Sequence, residues 1–132
     1  MTNATQNVST ATATKLTWDT EAYDTTAYHD TGTNPERLTI PTTGKYRVSA
    51  GGFFGFTDVT EFDLWITLNN STGIGNSIAG QSLHNQTAGK AVNLSFDREF
   101  TASDYIEAYC YHDNGSTRAF TNGYFTIATL DV

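Results

Sequence analysis

The chain is predicted to be an all-β protein built as an antiparallel sandwich or barrel. Three observations carry this. Apolar residues recur with period two in several short runs. Clusters of Asn, Gly, Asp, Ser and Pro separate those runs at intervals of about ten residues. The polar half is rich in Thr, Tyr, Asn, Gly and Ser, while the usual helix fillers Leu, Glu, Lys and Arg are scarce.

The elements follow in chain order. Residues 1–14 are almost all Thr, Asn, Ala, Ser and Gln, and only Val8 is aliphatic beyond alanine. Such a stretch buries too little apolar area to order itself, so it is expected to be a flexible arm. The domain then spans 15–132. Leu16 and Trp18 suggest a first strand, followed by a loop around Tyr23. Arg37 to Ile40 is a short strand between turns at Asn34-Pro35 and Pro41–Gly44.

Lys45 to Phe54 alternates strictly. Tyr46, Val48, Ala50, Gly52 and Phe54 share one face, and Lys45, Arg47, Ser49, Gly51 and Phe53 the other. The Gly51-Gly52 pair marks a bulge or the close approach of another backbone. Phe62, Leu64, Ile66 and Leu68 repeat the pattern opposite Asp63, Trp65 and Thr67. A turn at 69–73 leads to a weaker strand over 74–83 and a loop over 84–89. Val92, Leu94, Phe96 and Phe100 mark the next strand. In Tyr105 to His112, Ile106, Ala108 and Cys110 share a face opposite Tyr105, Glu107, Tyr109 and Tyr111. Asp113-Asn114-Gly115 reads as a hairpin turn. Tyr124 to Leu130 is the last strand.

Composition excludes several functions. The net charge is −7 and the pI about 4.6, so nucleic acid and anionic membranes find no electrostatic support. A single cysteine, Cys110, rules out an intrachain disulfide and is expected to be a buried, inert thiol. The first residues lack the basic and apolar regions of a signal peptide, and no run has the length of a membrane span. The expectation is a whole gene product, starting at Met1, made in a reducing compartment.

Three stretches in order resemble the complement-1q and tumour-necrosis-factor jelly-roll superfamily. Ile40-Pro41-Thr42-Thr43-Gly44-Lys45-Tyr46-Arg47-Val48 is similar to its signature of an apolar residue, Pro and Gly-x-Tyr leading into a central strand. Phe62 to Asn70 resembles the apolar strand and asparagine turn that follow. Gly123 to Leu130 is similar to the closing strand. The resemblance covers residues 15–132. It implies a jelly-roll sandwich of about eight to ten strands, a homotrimer, binding through surface loops and no enzymatic activity. Short, acidic, cysteine-poor domains of this kind resemble phage virion proteins.

The candidate functional residues are large rings on the faces opposite the core. Parity puts Phe53, Trp65, Tyr105, Tyr109, Tyr111 and Tyr124 there, as the candidate trimer interface. Cover by loops or the arm, and a carbohydrate-stacking surface, are the competing readings. His29-Asp30 and His112-Asp113 are poor chelates, because neighbours on a strand point to opposite faces. The histidines are therefore expected to be solvated. Asp19, Glu21, Asp24 and Asp30, and Asp58, Glu61 and Asp63, form acidic groups without the spacing of a calcium loop. No cofactor is expected, and calcium is disfavoured. No Gly-x-Ser-x-Gly elbow is present, and nothing selects a catalytic pair of carboxylates.

These readings converge on a structural virion protein that assembles in the host cytoplasm. It is expected to be a trimeric phage capsid decoration protein whose partners are its own copies and a major capsid or other virion protein. The alternative is a tail or fibre tip that binds host surface glycans.

Overall fold

The computed structural model describes residues 1–55, 59–70 and 76–130. Nine strands occur among them: β1 (Thr2–Val8), β2 (Thr14–Lys15), β3 (Arg37–Thr39), β4 (Gly44–Phe54), β5 (Val59–Leu68), β6 (Ser77–Gln86), β7 (Lys90–Phe100), β8 (Tyr105–His112) and β9 (Arg118–Thr129). They form two antiparallel sheets. One has the order β1-β9-β4-β7. The other has the order β2-β8-β5-β6, with β3 also paired to β8.

The expected all-β antiparallel sandwich is what the chain forms. Its connectivity is that of a jelly roll, because most consecutive strands lie in different sheets. β4 passes to β5, β6 to β7, β7 to β8 and β8 to β9 by crossing the sandwich. The period-two pattern of each strand supplies one wall of the core. Tyr46, Val48 and Phe54 of β4 meet Phe62, Leu64 and Ile66 of β5, with Phe120 and Phe125 of β9 beside them, all essentially fully buried. Burial of each such side chain contributes about 2–3 kcal/mol against its exposed state. Trp18 lies outside any strand yet is fully buried, with its ring centroid 5.5 Å from that of Phe125.

Four expectations need correction. The free arm is one. Thr2–Val8 is an edge strand paired residue by residue with Arg118–Tyr124 of β9, and Val8 is fully buried. The ordering comes from the backbone ladder, which side-chain hydrophobicity does not register. The Asp113-Asn114-Gly115 turn is another. It joins β8 to β9, which lie in different sheets, so it is a crossover and not a hairpin. Local turn chemistry sets the bend but not the partner strand. The last strand is the third: β9 starts at Arg118, six residues before the expected Tyr124.

The fourth concerns the histidines. His112 is fully buried: Nε2 lies 3.0 Å from the Val8 carbonyl, and Nδ1 accepts the Asn114 N–H at 3.2 Å. His29 is 8% exposed, with Nδ1 2.8 Å from Glu21 and Nε2 3.0 Å from the Pro35 carbonyl. Both are packing groups with satisfied nitrogens and not solvated side chains.

The glycine pair has a specific cause. The register between β4 and β9 shifts between Gly51 and Phe53, and the extra residue lies in β9, where Asn122 has φ +52°. A Cβ on Gly51 would meet the Tyr124 ring and the Val92 carbonyl at 2.7 Å. One on Gly52 would lie 2.1 Å from the Phe120 ring. Two aromatic side chains, one on each face, occupy the space that β-carbons would need.

Candidate functional site

The six candidate rings divide between the two outer faces of the sandwich. Phe53 and Tyr124 stand on the outer face of the β1-β9-β4-β7 sheet. Trp65, Tyr105, Tyr109 and Tyr111 stand on the outer face of the other sheet. No single flat surface holds all six.

The two groups differ in exposure. Trp65 and Tyr109 face each other across β5 and β8, stacked with centroids 5.8 Å apart and planes 11° apart. They are only 6% and 3% exposed in the single chain, although neither belongs to the central core. Tyr105 is half-buried beneath the Arg37 guanidinium, 4.0 Å from its ring centroid. Tyr111 is half-buried opposite Asp63. On the other face, Tyr124 lies over Gly51, and Phe53 is 39% exposed.

The covered rings sit beside a charge cluster that the sequence reading did not single out. Glu107 is on the same face as Tyr109, and its side chain is completely buried. Arg37 Nη2 approaches one carboxylate oxygen at 3.1 Å, and Lys15 Nζ the other at 3.2 Å; the Tyr109 hydroxyl donates at 3.3 Å. Glu36 lies 3.7 Å from Lys15 and 3.9 Å from Arg37, so two cations meet two anions. Burial alone would lower Lys15, but the hydrogen bond and charge of Glu107 outweigh it and raise its pKa. The arrangement has a topological role. β2 and β3 both pair with β8 along the same edge, Lys15 opposite Tyr109 and Arg37 opposite Glu107. One carboxylate thereby ties two short strands to the sheet. The available signal was a lone Glu in an otherwise aromatic face.

The outer face of the β1-β9-β4-β7 sheet is different in character. Ser49 pairs with Ser95 through their hydroxyls at 2.8 Å, and Gly51 lies opposite Asn93. Arg47 grips Asp97 through Nε and Nη2 at 2.8 and 2.9 Å, in the open. The hydrogen bond from Arg47 holds the Asp97 carboxyl below its usual range. The face is mostly small and polar, with one protruding ring, Phe53.

The acidic groups are largely absorbed by local structure. Burial alone would raise Asp24, but backbone N–H groups of His29, Tyr28, Thr26 and Ala27 outweigh it and lower its pKa. Asp30 accepts the N–H groups of Gly32 and Thr33. Glu61 is raised by the neighbouring Asp63 carboxylate, while Asp58 lies outside the described residues. Among the described residues, no three His, Cys, Asp or Glu side chains converge as metal ligands would. Cys110 is buried in the core, and that burial pushes its thiol far above the ordinary range.

The architecture has solved counterparts. One is the structure of Eiger TNF from S. frugiperda, with a TM-score of 0.57 over 97% of this chain and 92% of that one. The chain has a tumour-necrosis-factor-like jelly-roll fold. Sequence identity with that structure is 9%, so the likeness concerns fold alone. No family model matches the sequence. No curated protein matches it.

Proposed function

We propose that the chain is a non-catalytic structural module that assembles as a homotrimer. In its finer form, the proposal is that the trimer decorates a virion shell. The observation that carries the trimer is the outer face of the β1-β9-β4-β7 sheet. Its small residues Ser49, Gly51 and Ser95 let another subunit approach closely, and Phe53 offers a single apolar anchor. Of the six candidate rings, Phe53 and Tyr124 belong to this face. The stacked Trp65 and Tyr109 are already covered within one chain and are assigned to its internal stability.

Decoration is favoured by chemistry that offers surfaces rather than reactive groups. A trimer that binds only the assembled shell stabilises it by mass action. Loops would carry that contact, since Thr2–Val8 is committed to the sheet.

Light scattering of the purified chain and of Phe53→Asp tests the trimer. The expected mass is three times 14.4 kDa, falling to one chain in the variant, with the same circular dichroism. A single-chain mass for the unaltered protein would remove the trimer. A variant that stays trimeric would move the interface elsewhere. Co-sedimentation of the trimer with intact shells, but not with disassembled subunits, tests the finer form.

A further inference from the structure

β9 is longer than the strand beside it. β1 covers β9 only as far as Tyr124, and Met1 adds one last pair. The Met1 amino group donates to the Phe125 carbonyl, and the Phe125 N–H donates to the Met1 carbonyl, both at 3.0 Å. In an antiparallel ladder, successive residues turn their N–H and C=O groups to alternate sides. The Leu130 N–H reaches the Lys45 carbonyl of β4 at 2.9 Å, so Thr126, Ala128 and Leu130 face β4. Ile127 and Thr129 face outward, like Phe125. Among the described residues, no strand pairs with these two on that side.

A cavity of about 150 Å³ opens where the row of β1 ends. Met1, Tyr28, Leu38, Phe125 and Ile127 line it with apolar and ring atoms, and all five belong to the core or pack against it. Tyr23, another lining residue, is 83% exposed. A cavity of roughly 150 Å³ with apolar walls takes up one benzene ring. The nearby charges offset one another: Glu21 and Asp24 act on the Met1 ammonium, and backbone N–H groups occupy Asp24. That environment favours an uncharged ring.

We propose that this end of β9 docks an extended segment of a partner polypeptide. The segment pairs with the outward groups of Ile127 and Thr129 and places one Phe or Tyr side chain in the cavity. Continuity selects a peptide over a free ring. The cavity adjoins the open ladder positions of β9, in line with β1. A residue set opposite Ile127 directs its side chain to the same face as Ile127, which packs against the core. Strand addition of this kind draws affinity from the backbone and selectivity from the pocket. The proposal rests on the β9 edge and not on the trimer.

Amide NMR of the full chain tests it, with acetyl-Thr-Phe-Thr-amide, acetyl-Thr-Ala-Thr-amide and 4-methylphenol as probes. The Phe peptide is expected to shift the Phe125, Ile127 and Thr129 amides and to slow exchange at Ile127 and Thr129. The Ala peptide should bind at least about tenfold more weakly, having no ring to bury. Thr129→Pro removes one outward N–H from an exposed residue and should weaken the Phe peptide about fivefold. Ala22→Trp fills the cavity from an exposed lining position and should abolish binding. Equal binding of the two peptides, or binding of 4-methylphenol with neither peptide, would overturn the proposal. So would concentration-dependent shifts of these amides without any peptide, which assign the edge to a second copy. The two-peptide comparison needs no variant, so a poorly folded substitution leaves the test intact.

Discussion

Replacing Glu107 with leucine isolates the contribution of the buried carboxylate that ties β2 and β3 to β8. Leucine fills much of the space but supplies no acceptor. The change removes two charge-assisted hydrogen bonds, from Arg37 at 3.1 Å and Lys15 at 3.2 Å, and one from the Tyr109 hydroxyl at 3.3 Å. Breaking a buried ion pair at one partner costs about 3–5 kcal/mol. The lower end applies here. The Lys15 and Arg37 side chains are 25% and 23% exposed, and Glu36 remains within 4 Å of both, so the orphaned cations regain part of their solvation. The expected loss is about 3 kcal/mol, which lowers Tm by about 10 °C for a chain of this size. Urea unfolding followed by tryptophan fluorescence measures it, since Trp65 is stacked on Tyr109; the denaturant slope should stay constant. Replacing Lys15 and Arg37 with methionine in the Glu107→Leu background should recover most of the loss. A single variant that loses under about 1 kcal/mol would refute the reasoning, as would a triple variant no more stable than the single one.

Three further outcomes follow from the same packing. Val8→Ala should cost about 2 kcal/mol in urea unfolding, because Val8 is fully buried where β1 meets β9; an unchanged midpoint would return residues 1–14 to the status of an arm. Gly52→Ala should cost about 1–3 kcal/mol or more, since its Cβ would lie 2.1 Å from the rigid Phe120 ring; a Phe120→Leu background should relieve it. Asp24 has a lowered folded pKa, so its contribution is present above its unfolded value of 3.8 and is lost as pH falls through the folded one. Faster exchange of the His29 amide in acid should therefore appear below about pH 3.8, and Asp24→Asn should already show it at neutral pH.

Alternation made β4, β5 and β8 legible residue by residue. Tyr46, Val48, Phe62, Leu64, Ile106 and Cys110 all face the core as their parity requires. The division of the six rings onto outward faces was legible for the same reason, because side-chain direction in a strand is a local property. Which rings stay exposed was not. Trp65 and Tyr109 are covered while Phe53 protrudes, and that depends on what packs over each face.

Sequence alone thus determined the class, the strand faces and the buried thiol, since each follows from spacing of two residues along one chain. The tertiary structure decided what depends on distant partners. Thr2–Val8 is a strand because β9 offers it a ladder over a hundred residues away, and apolar content carries no trace of that. Asp113-Asn114-Gly115 bends as expected but leads across the sandwich, because strand pairing is set by the whole sheet. Glu107, Lys15 and Arg37 are separated by tens of residues, and only β8, flanked by two short strands, brings their charges within 3.2 Å. The cavity at the end of β1 likewise exists only because two strands of unequal length lie side by side.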